Sequence, residues 1–407
     1  MSQLPVDLGK APLTIKRSWP SWSVQLTAIL GLALYLNALM WWTESPDMRD
    51  YLLGWFEHIV TYGPIGAFAH PFSDYEPTYL YLLAGISILH RDLDPMSLVK
   101  LVSVGGSVFA AIAVSDLVGA TGGRRRYAVL VLIMPSVVIN AAMLGQCDAF
   151  WAGACVFAVS SMVRGQTARS MAWCGVAIAF KLQSVFIAPF IVGCMLGYRA
   201  QLWKWAIPAV VFSALLVPAW LAGWPAWKLA MAYPLQTAAQ NFSGNLANPW
   251  ILASLYPPQI AKQYHWIGIS AAVATAISIV ALSAAVVRNP RAMVLLALLS
   301  SLALPFLLPK MHERYFFLAD LLSLAAAISY REPKVFWMAG ATQLASLLSL
   351  LTYVYFTSAY PTLVGVLFAT AALVLCLLLT KRSIDVRCPL VRSEAWSTLA
   401  SMERATR

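Results

Sequence analysis

Apolar runs of about twenty residues recur along the whole chain and leave few folds open. The stretches 22–42, 98–119, 127–145, 204–222, 265–286, 292–308, 335–355 and 361–380 are each of spanning length, since a helix rising 1.5 Å per residue needs about 20 apolar residues to cross a bilayer. Shorter apolar stretches cover 149–163 and 318–330. Only 11% of the 407 residues are charged and the mean hydropathy is +0.71, where soluble domains carry about a quarter charged residues. A soluble globular protein is excluded, and the chain reads as an all-α polytopic membrane protein. The formal charge of +11 does not signal a nucleic-acid partner, because the 28 Lys and Arg are scattered in small groups between apolar runs.

The distribution of those cations sets the topology, because Lys and Arg concentrate in cytoplasmic loops. Two stretches need a decision. The 13 residues 78–90 are too short to span and read as a re-entrant helix, whereas 171–197 is interrupted by Lys181, Gln183 and Ser184 and reads as two short helices with FKLQS at the outer surface. The groups at 10–17, 124–126, 164–169, 199–204, 288–291, 331–334, 381–382 and the tail then share one side, 20 of the 28 basic residues. The expectation is a bundle of roughly 11–13 transmembrane helices with both termini cytoplasmic, divided into an N-terminal segment 1–21, a membrane domain 22–380 and a polar tail 381–407. Lys10, Lys16 and Arg17 precede a full-length apolar span without a small-residue cleavage site, so no removable signal peptide is expected. All five histidines and ten of the 17 acidic residues fall on the outer side. Polar chemistry is concentrated on one face.

The outer loops are 43–77, 223–264 and 309–317. In the first, Met48, Leu52, Trp55 and Ile59 recur at three and four residues, which predicts an amphipathic surface helix from Asp47 to Thr61. Asp47 suits a helix N-cap, and equally a carboxylate acting as general base towards an acceptor hydroxyl. Asp50, one turn on, is the other candidate base. Asp74, Tyr75 and Glu76 precede the re-entrant helix, with Pro77 in its first turn. Gln146 and Asp148 in GQCD stand at the outer end of the 127–145 span, with Asn140 nearby. An ionisable group there is a functional candidate.

The break at 180–184 sets Lys181 and Gln183 at the headgroup level, where a lysine can serve a phosphate as a point charge. The densest polar cluster near a membrane boundary is LPKMHERYFFLAD, 308–320. Lys310, His312 and Arg314 suit a phosphate ester, Glu313 can orient His312 or Arg314, and Tyr315 flanks them. Asp320 needs a partner within the bilayer, and Arg314 is the candidate. The 223–264 loop, with Asn241, Asn245, Asn248, Trp250, Tyr256, Pro257 and Pro258, suits either glycan contact or a cap over the outer face. Of the six cysteines only Cys147 falls outside, so no extracytoplasmic disulfide is expected. No CxxC or HExxH occurs, and the ligand types imply no metal or other cofactor, although the acidic cluster leaves a weak divalent site open.

The order DMRDYLLGWFEHIVTYG, SDYEPTYLYLL, GQCDAFWAG, AFKLQSVFIAPF, LPKMHERYFFLAD resembles the bacterial GT-C glycosyltransferases related to the eukaryotic second GPI mannosyltransferase, over residues 22–330. The resemblance implies an integral-membrane transferase that moves a hexose, mannose first, from a polyprenyl-phosphate-linked donor to a lipid or glycan acceptor outside the cytoplasm, at a bacterial plasma membrane. It places the base on Asp47, a second acidic position on Asp148, and donor phosphate binding on Lys181, His312 and Arg314. One departure stands out: where the family has YPP this chain has YEP, with Glu76 in place of a proline. Polyprenyl phosphate is a fair leaving group, so one carboxylate suffices and attack inverts the anomeric centre. The competing reading is a transporter or flippase for a lipid-linked or anionic solute, which would need polar groups near the midplane. The spans are nearly free of them.

Overall fold

A computed structural model describes residues 21–229, 245–255, 258–355 and 358–385. The basic group at 10–17, the sequon at Asn241, Tyr256, Pro257 and the tail beyond 385 lie outside the described residues. Among those described, the chain is helical and has no strand, apart from a single antiparallel bridge between Asn245 and His312. The helices are α1 (Trp22–Met40), α2 (Leu53–Tyr62), α3 (Pro77–Ile86), α4 (Pro95–Ala120), α5 (Asp148–Val163), α6 (Thr167–Phe180), α7 (Ala188–Gly197), α8 (Ile207–Ala222), α9 (Pro258–Ala285), α10 (Pro290–Leu307), α11 (Phe317–Tyr330), α12 (Pro333–Tyr355) and α13 (Tyr360–Asp385). Several begin with proline, whose missing N–H costs nothing in the first turn. Asp94 and Asn289 cap two of these starts, accepting from the N–H of Ser97 at 2.9 Å and of Ala292 at 3.3 Å.

Among the described residues seven helices are long and apolar enough to cross a membrane, or eight if the bent pair Arg125–Ile133 and Pro135–Met143 forms one span. The remaining apolar helices, Pro77–Leu89, Asp148–Val163, Leu182–Gly197 and Phe317–Tyr330, are 10–17 residues long, too short to cross about 30 Å alone. The difference from the 11–13 spans read in the sequence lies in these short elements. Two breaks shape them. The run 127–145 is not one straight helix but bends by 56° at Pro135, because a proline removes a donor and disfavours helix at the residue before it. The run 171–197 breaks at Lys181, whose φ of −157° and ψ of 143° are extended.

Helices α5, α10 and α11 form the centre, with nearly every side chain buried, while α1, α8 and α9 present Leu34, Tyr35, Val210, Trp220 and Ile277 outward. A ring of large apolar groups facing out is what lipid solvates. Around the centre α4 packs on α5, α5 on α6, α7 on α9, and α12 on α13. The α7–α9 crossing is close: a Cβ on Gly193 or Gly197 would collide with the carbonyl oxygens of Val280 and Ala284. Small residues four apart allow such backbone approach where no hydrophobic drive exists between helices in lipid.

The two ends of the bundle differ in chemistry. At one end the basic loops meet: Arg126 lies over Trp22, Arg331 over Tyr127, Arg164 pairs with Asp116 at 2.8 Å, and Arg291 pairs with Glu332. The acidic and histidine-bearing loops meet at the other end. There Lys100 is fully buried on α4 and its ammonium donates to the carbonyls of Trp41 and, at 2.7 Å, Thr43. It thereby fixes the segment between α1 and Asp47. Removing it leaves two carbonyls short of a donor, at about 1–3 kcal/mol for a buried polar group. Lys100→Met is expected to lower the thermal midpoint in detergent and reduce activity together, and an unchanged midpoint would contradict this role.

Candidate active site

The segment after α1 is built to present one carboxylate. Ser45 Oγ accepts from the Met48 N–H at 3.1 Å and donates to the Leu144 carbonyl at 3.4 Å. Ser45 therefore caps the helix, and Asp47, which makes no capping bond, is left for other contacts. The continuous helix through the wide turn Met48–Leu52 and α2 buries Met48, Leu52, Trp55, Phe56 and Ile59, as the three-and-four spacing predicts. The wide turn leaves Asp50 at the surface, half-exposed and paired with its neighbour Arg49 at 2.9 Å. The structure does not bring Asp50 to Asp47's surroundings.

Asp47 lines a cavity of about 440 Å³ with Tyr75, Gln146, Asp148, Lys181, Gln183, His312, Glu313, Arg314 and Tyr315. These come from the first loop, the turn before α5, the break after α6 and the loop after α10. Gly145 makes the second of these possible, with φ of 67° and its carbonyl accepting from Tyr79 at 3.4 Å; a Cβ there would strike Met48. Gln146 Nε2 donates to Asp47 Oδ2 at 2.7 Å while its Oε1 accepts from Tyr75 at 3.0 Å and Lys181 at 3.2 Å. Arg314 Nη1 donates to the same Oδ2 at 2.5 Å, and Tyr353 donates to Oδ1 at 2.7 Å.

Burial pushes the Asp47 carboxyl upward, but Arg314, the Tyr353 hydroxyl and Lys181 outweigh it and hold it below the usual carboxylate range. Tyr75 moves the other way. Its burial pushes the phenol up to about 12 despite the nearby Lys181 and Arg314, so it stays a neutral donor.

Asp148 has a different place. Only 4% of its side chain is exposed, against 14% for Asp47, and it accepts from Asn140 at 2.7 Å, Trp151 at 2.8 Å and Lys181 at 2.8 Å. It is an anchor for Lys181 rather than a group open to a reactant. Arg314 Nε lies 3.1 Å from Glu313 and 3.9 Å from Asp148, and His312 Nδ1 lies 3.8 Å from Glu313. Gln183 donates to the Tyr315 hydroxyl at 3.2 Å. Asp74 lines the cavity, whereas Lys310, with φ of 63°, does not. Among the described residues no group of three or more His, Cys, Asp or Glu is placed to hold a metal ion.

Arg314 is not the partner of Asp320: its guanidinium is turned to Asp47, Glu313 and Asp148, and the fully buried Asp320 carboxylate faces the hydroxyls of Ser136 and Ser346 instead. In the 223–264 loop, Asn248 bonds the carbonyls of Pro305 and Leu308 at 3.1 Å and Trp250 that of Leu307 at 2.7 Å. Those side chains fasten the described part of the loop to α10. Tyr353 carries no sequence signal for this contact, because a tyrosine at the end of a span looks like any interfacial aromatic.

A charged, partly aromatic cavity thus lies at one end of a bundle of apolar helices. Residues 57–197 match the family model described as alpha-(1->6)-mannopyranosyltransferase, N-terminal domain, of the MptA/B family. Over those residues the chain is similar to this mannosyltransferase family's N-terminal domain, which together with the multi-span helical fold points to a membrane glycosyltransferase. The matched segment holds Asp74, Tyr75, Gln146, Asp148 and Lys181; Asp47, Arg314 and Tyr353 come from either side of it. No curated protein matches the chain. The enzyme class sets the transporter reading aside.

Glu76, the departure from the family's proline, is 1% exposed and neither carboxylate oxygen has a hydrogen bond. Burial pushes its carboxyl from the ordinary 4.5 up to about 7. The folded state then keeps a proton that the unfolded chain gives up from about pH 4.5, so stability falls as pH rises through that window and levels off above it. Glu76→Gln is expected to be more stable than wild type at pH 8, by up to about 3 kcal/mol, with the gap closing at pH 4. Thermal unfolding in detergent at both pH values checks it, and a gap that does not depend on pH would refute it.

Proposed function

We propose that the protein moves mannose from a polyprenyl-phosphate-linked donor to a lipid or glycan acceptor at the outer face of a bacterial plasma membrane. Asp47 is the base, and Lys181 and Arg314, with His312 at the mouth, receive the donor phosphate. The observation that carries this reading is the contact of Asp47 with Arg314 inside one cavity: a carboxylate open to a hydroxyl stands beside cations buried where a phosphate can reach them. The orientation rests on the basic loops gathering at the opposite end of the bundle.

Transfer to a hydroxyl requires that the proton leave as the new bond forms and that the departing phosphate gain charge. Asp47 meets the first need within hydrogen-bond reach. The buried cations meet the second, since preorganised charge in a dry site stabilises a leaving oxyanion strongly. No second carboxylate at glycosidase spacing is then needed, and a single displacement inverts the anomeric carbon. If the product linkage is alpha, as the family description has it, inversion demands a beta-linked donor. Asp74, Tyr75 and Tyr315 line the space left for sugars. The lipid chain of the donor enters laterally between helices.

The test is release of polyprenyl phosphate by the purified protein from a panel of polyprenyl-phosphate hexoses, with a membrane glycolipid extract as acceptor source. Release is expected with the mannosyl donor and only with the extract. Asp47→Asn should cut turnover by about 10²–10⁴-fold, the usual worth of a general base, with donor binding retained, whereas Arg314→Ala should weaken donor binding. Equal loss of donor binding in both variants would contradict the assignment.

A further inference from the structure

The charges around Asp47 do not divide into separate pairs. Arg314 serves Asp47 through Nη1 at 2.5 Å and reaches Glu313 and Asp148 through Nε at 3.1 and 3.9 Å. Lys181 is committed to Asp148 at 2.8 Å and to Gln146. Two fixed cations thus answer three carboxylates, and none of the five side chains is more than 14% exposed. Lys228 and His312 also line the cavity, but neither forms an ion pair with Asp47 or Asp148. A phosphodiester adds one negative charge to this cluster, and the departing phosphomonoester carries two. In a site of low dielectric constant, charge cannot be created at one point without being removed at another.

We propose, resting on the function above, that Arg314 is a counter-ion shared in time: it holds Asp47 ionised before transfer and turns its charge to the leaving phosphate as Asp47 takes the acceptor's proton. The bond from the acceptor oxygen to the anomeric carbon forms while the bond from that carbon to the phosphate oxygen breaks, its electron pair staying on the phosphate. The hydroxyl proton goes to Asp47. Negative charge lost at Asp47 reappears on the phosphate, so the cluster keeps its total charge and no ion has to enter or leave. Arg314 Nη2 makes none of the ion-pair contacts above, and the planar fork can span two acceptors at once.

Tyr353 is a positioning residue in this scheme. Its hydroxyl fixes Oδ1 from the end of α12, while that oxygen keeps a second lone pair for the acceptor. Around Asp47 the loop after α10 contributes Arg314, Glu313 and His312, and the break after α6 contributes Lys181. α5 brings Asp148, the first loop Tyr75, and α12 Tyr353. Arg314 alone of these pairs with the Asp47 carboxylate as an ion.

The pH dependence of kcat/KM for release of polyprenyl phosphate from the mannosyl donor tests it, in wild type, Arg314→Ala, Arg314→Lys and Tyr353→Phe. With Arg314 gone, the acidic limb should move to higher pH by about one unit or more, kcat should fall at least about tenfold at the optimum, and added guanidinium should restore both together. Arg314→Lys, which keeps the charge and guards against a variant that fails to fold, should show a smaller movement of both. Tyr353→Phe should move the acidic limb with little change in donor KM. An unmoved acidic limb in both Arg314 variants, with the loss confined to donor KM, overturns the shared counter-ion while leaving the proposed transfer intact. Absence of any release by wild type would instead overturn the proposed function, and this proposal with it.

Discussion

The half of the protein that holds the cavity depends on the burial of Arg314 among Asp47, Glu313 and Asp148. Taking charges out of water costs several kcal/mol per ion, and only close partners with good geometry offset it. That condition reaches far through the chain: Asp47 belongs to the first loop, Asp148 to the start of α5, Lys181 to the break after α6, and Tyr353 to the end of α12. Segments more than 250 residues apart in sequence are tied to one carboxylate, since the Arg314–Asp47 and Tyr353–Asp47 bonds span 267 and 306 positions. The apolar bundle packs the helices side by side. The ion cluster fixes how its ends come together.

The helix breaks have the same physical origin as the cluster. An uninterrupted helix would carry Lys181 past the cavity, whereas the extended residue between α6 and the turn Leu182–Ile187 lets its ammonium reach both Asp148 and Gln146. Irregular backbone is tolerated at membrane depth only where it is buried in protein or lines a cavity. The bend at Pro135 and the wide turn at Ile139–Met143 precede Gly145, Gln146 and Asp148 in the same way. These departures from regular helix lead into residues that contact Asp47 or its partners.

Much of this could be read from residue order alone. The long spans follow from runs of apolar side chains, and the amphipathic helix after Asp47 from its buried stripe, because both are local patterns. FKLQS marks its own break, since a lysine and two polar groups interrupt an apolar run. What stayed hidden depends on long-range pairing. Nothing local distinguishes Tyr353 from an interfacial tyrosine, Asp50 from Asp47, or Asn140 as the partner of Asp148. Ser45, not Asp47, takes the cap, and only the packing against Leu144 makes that visible. Asp320 shows the converse limit: proximity in sequence suggested Arg314, but three other carboxylates claim that guanidinium.

In the proposed transfer, a base whose carboxyl is held below its usual range is weak toward an ordinary hydroxyl, which at first counts against Asp47 in that role. The objection applies to the ground state. As the bond to phosphate lengthens, the anomeric carbon becomes electron-poor and the approaching hydroxyl more acidic, while the growing phosphate charge draws on the same guanidinium that had suppressed the basicity of Asp47. Proton affinity then rises when the proton becomes available. Interactions that strengthen only along the reaction coordinate accelerate it, whereas a carboxylate already basic in the resting enzyme would be protonated and idle. On that proposal, the depressed carboxyl and the cations assigned to the phosphate are consequences of one placement, that of Arg314 between them.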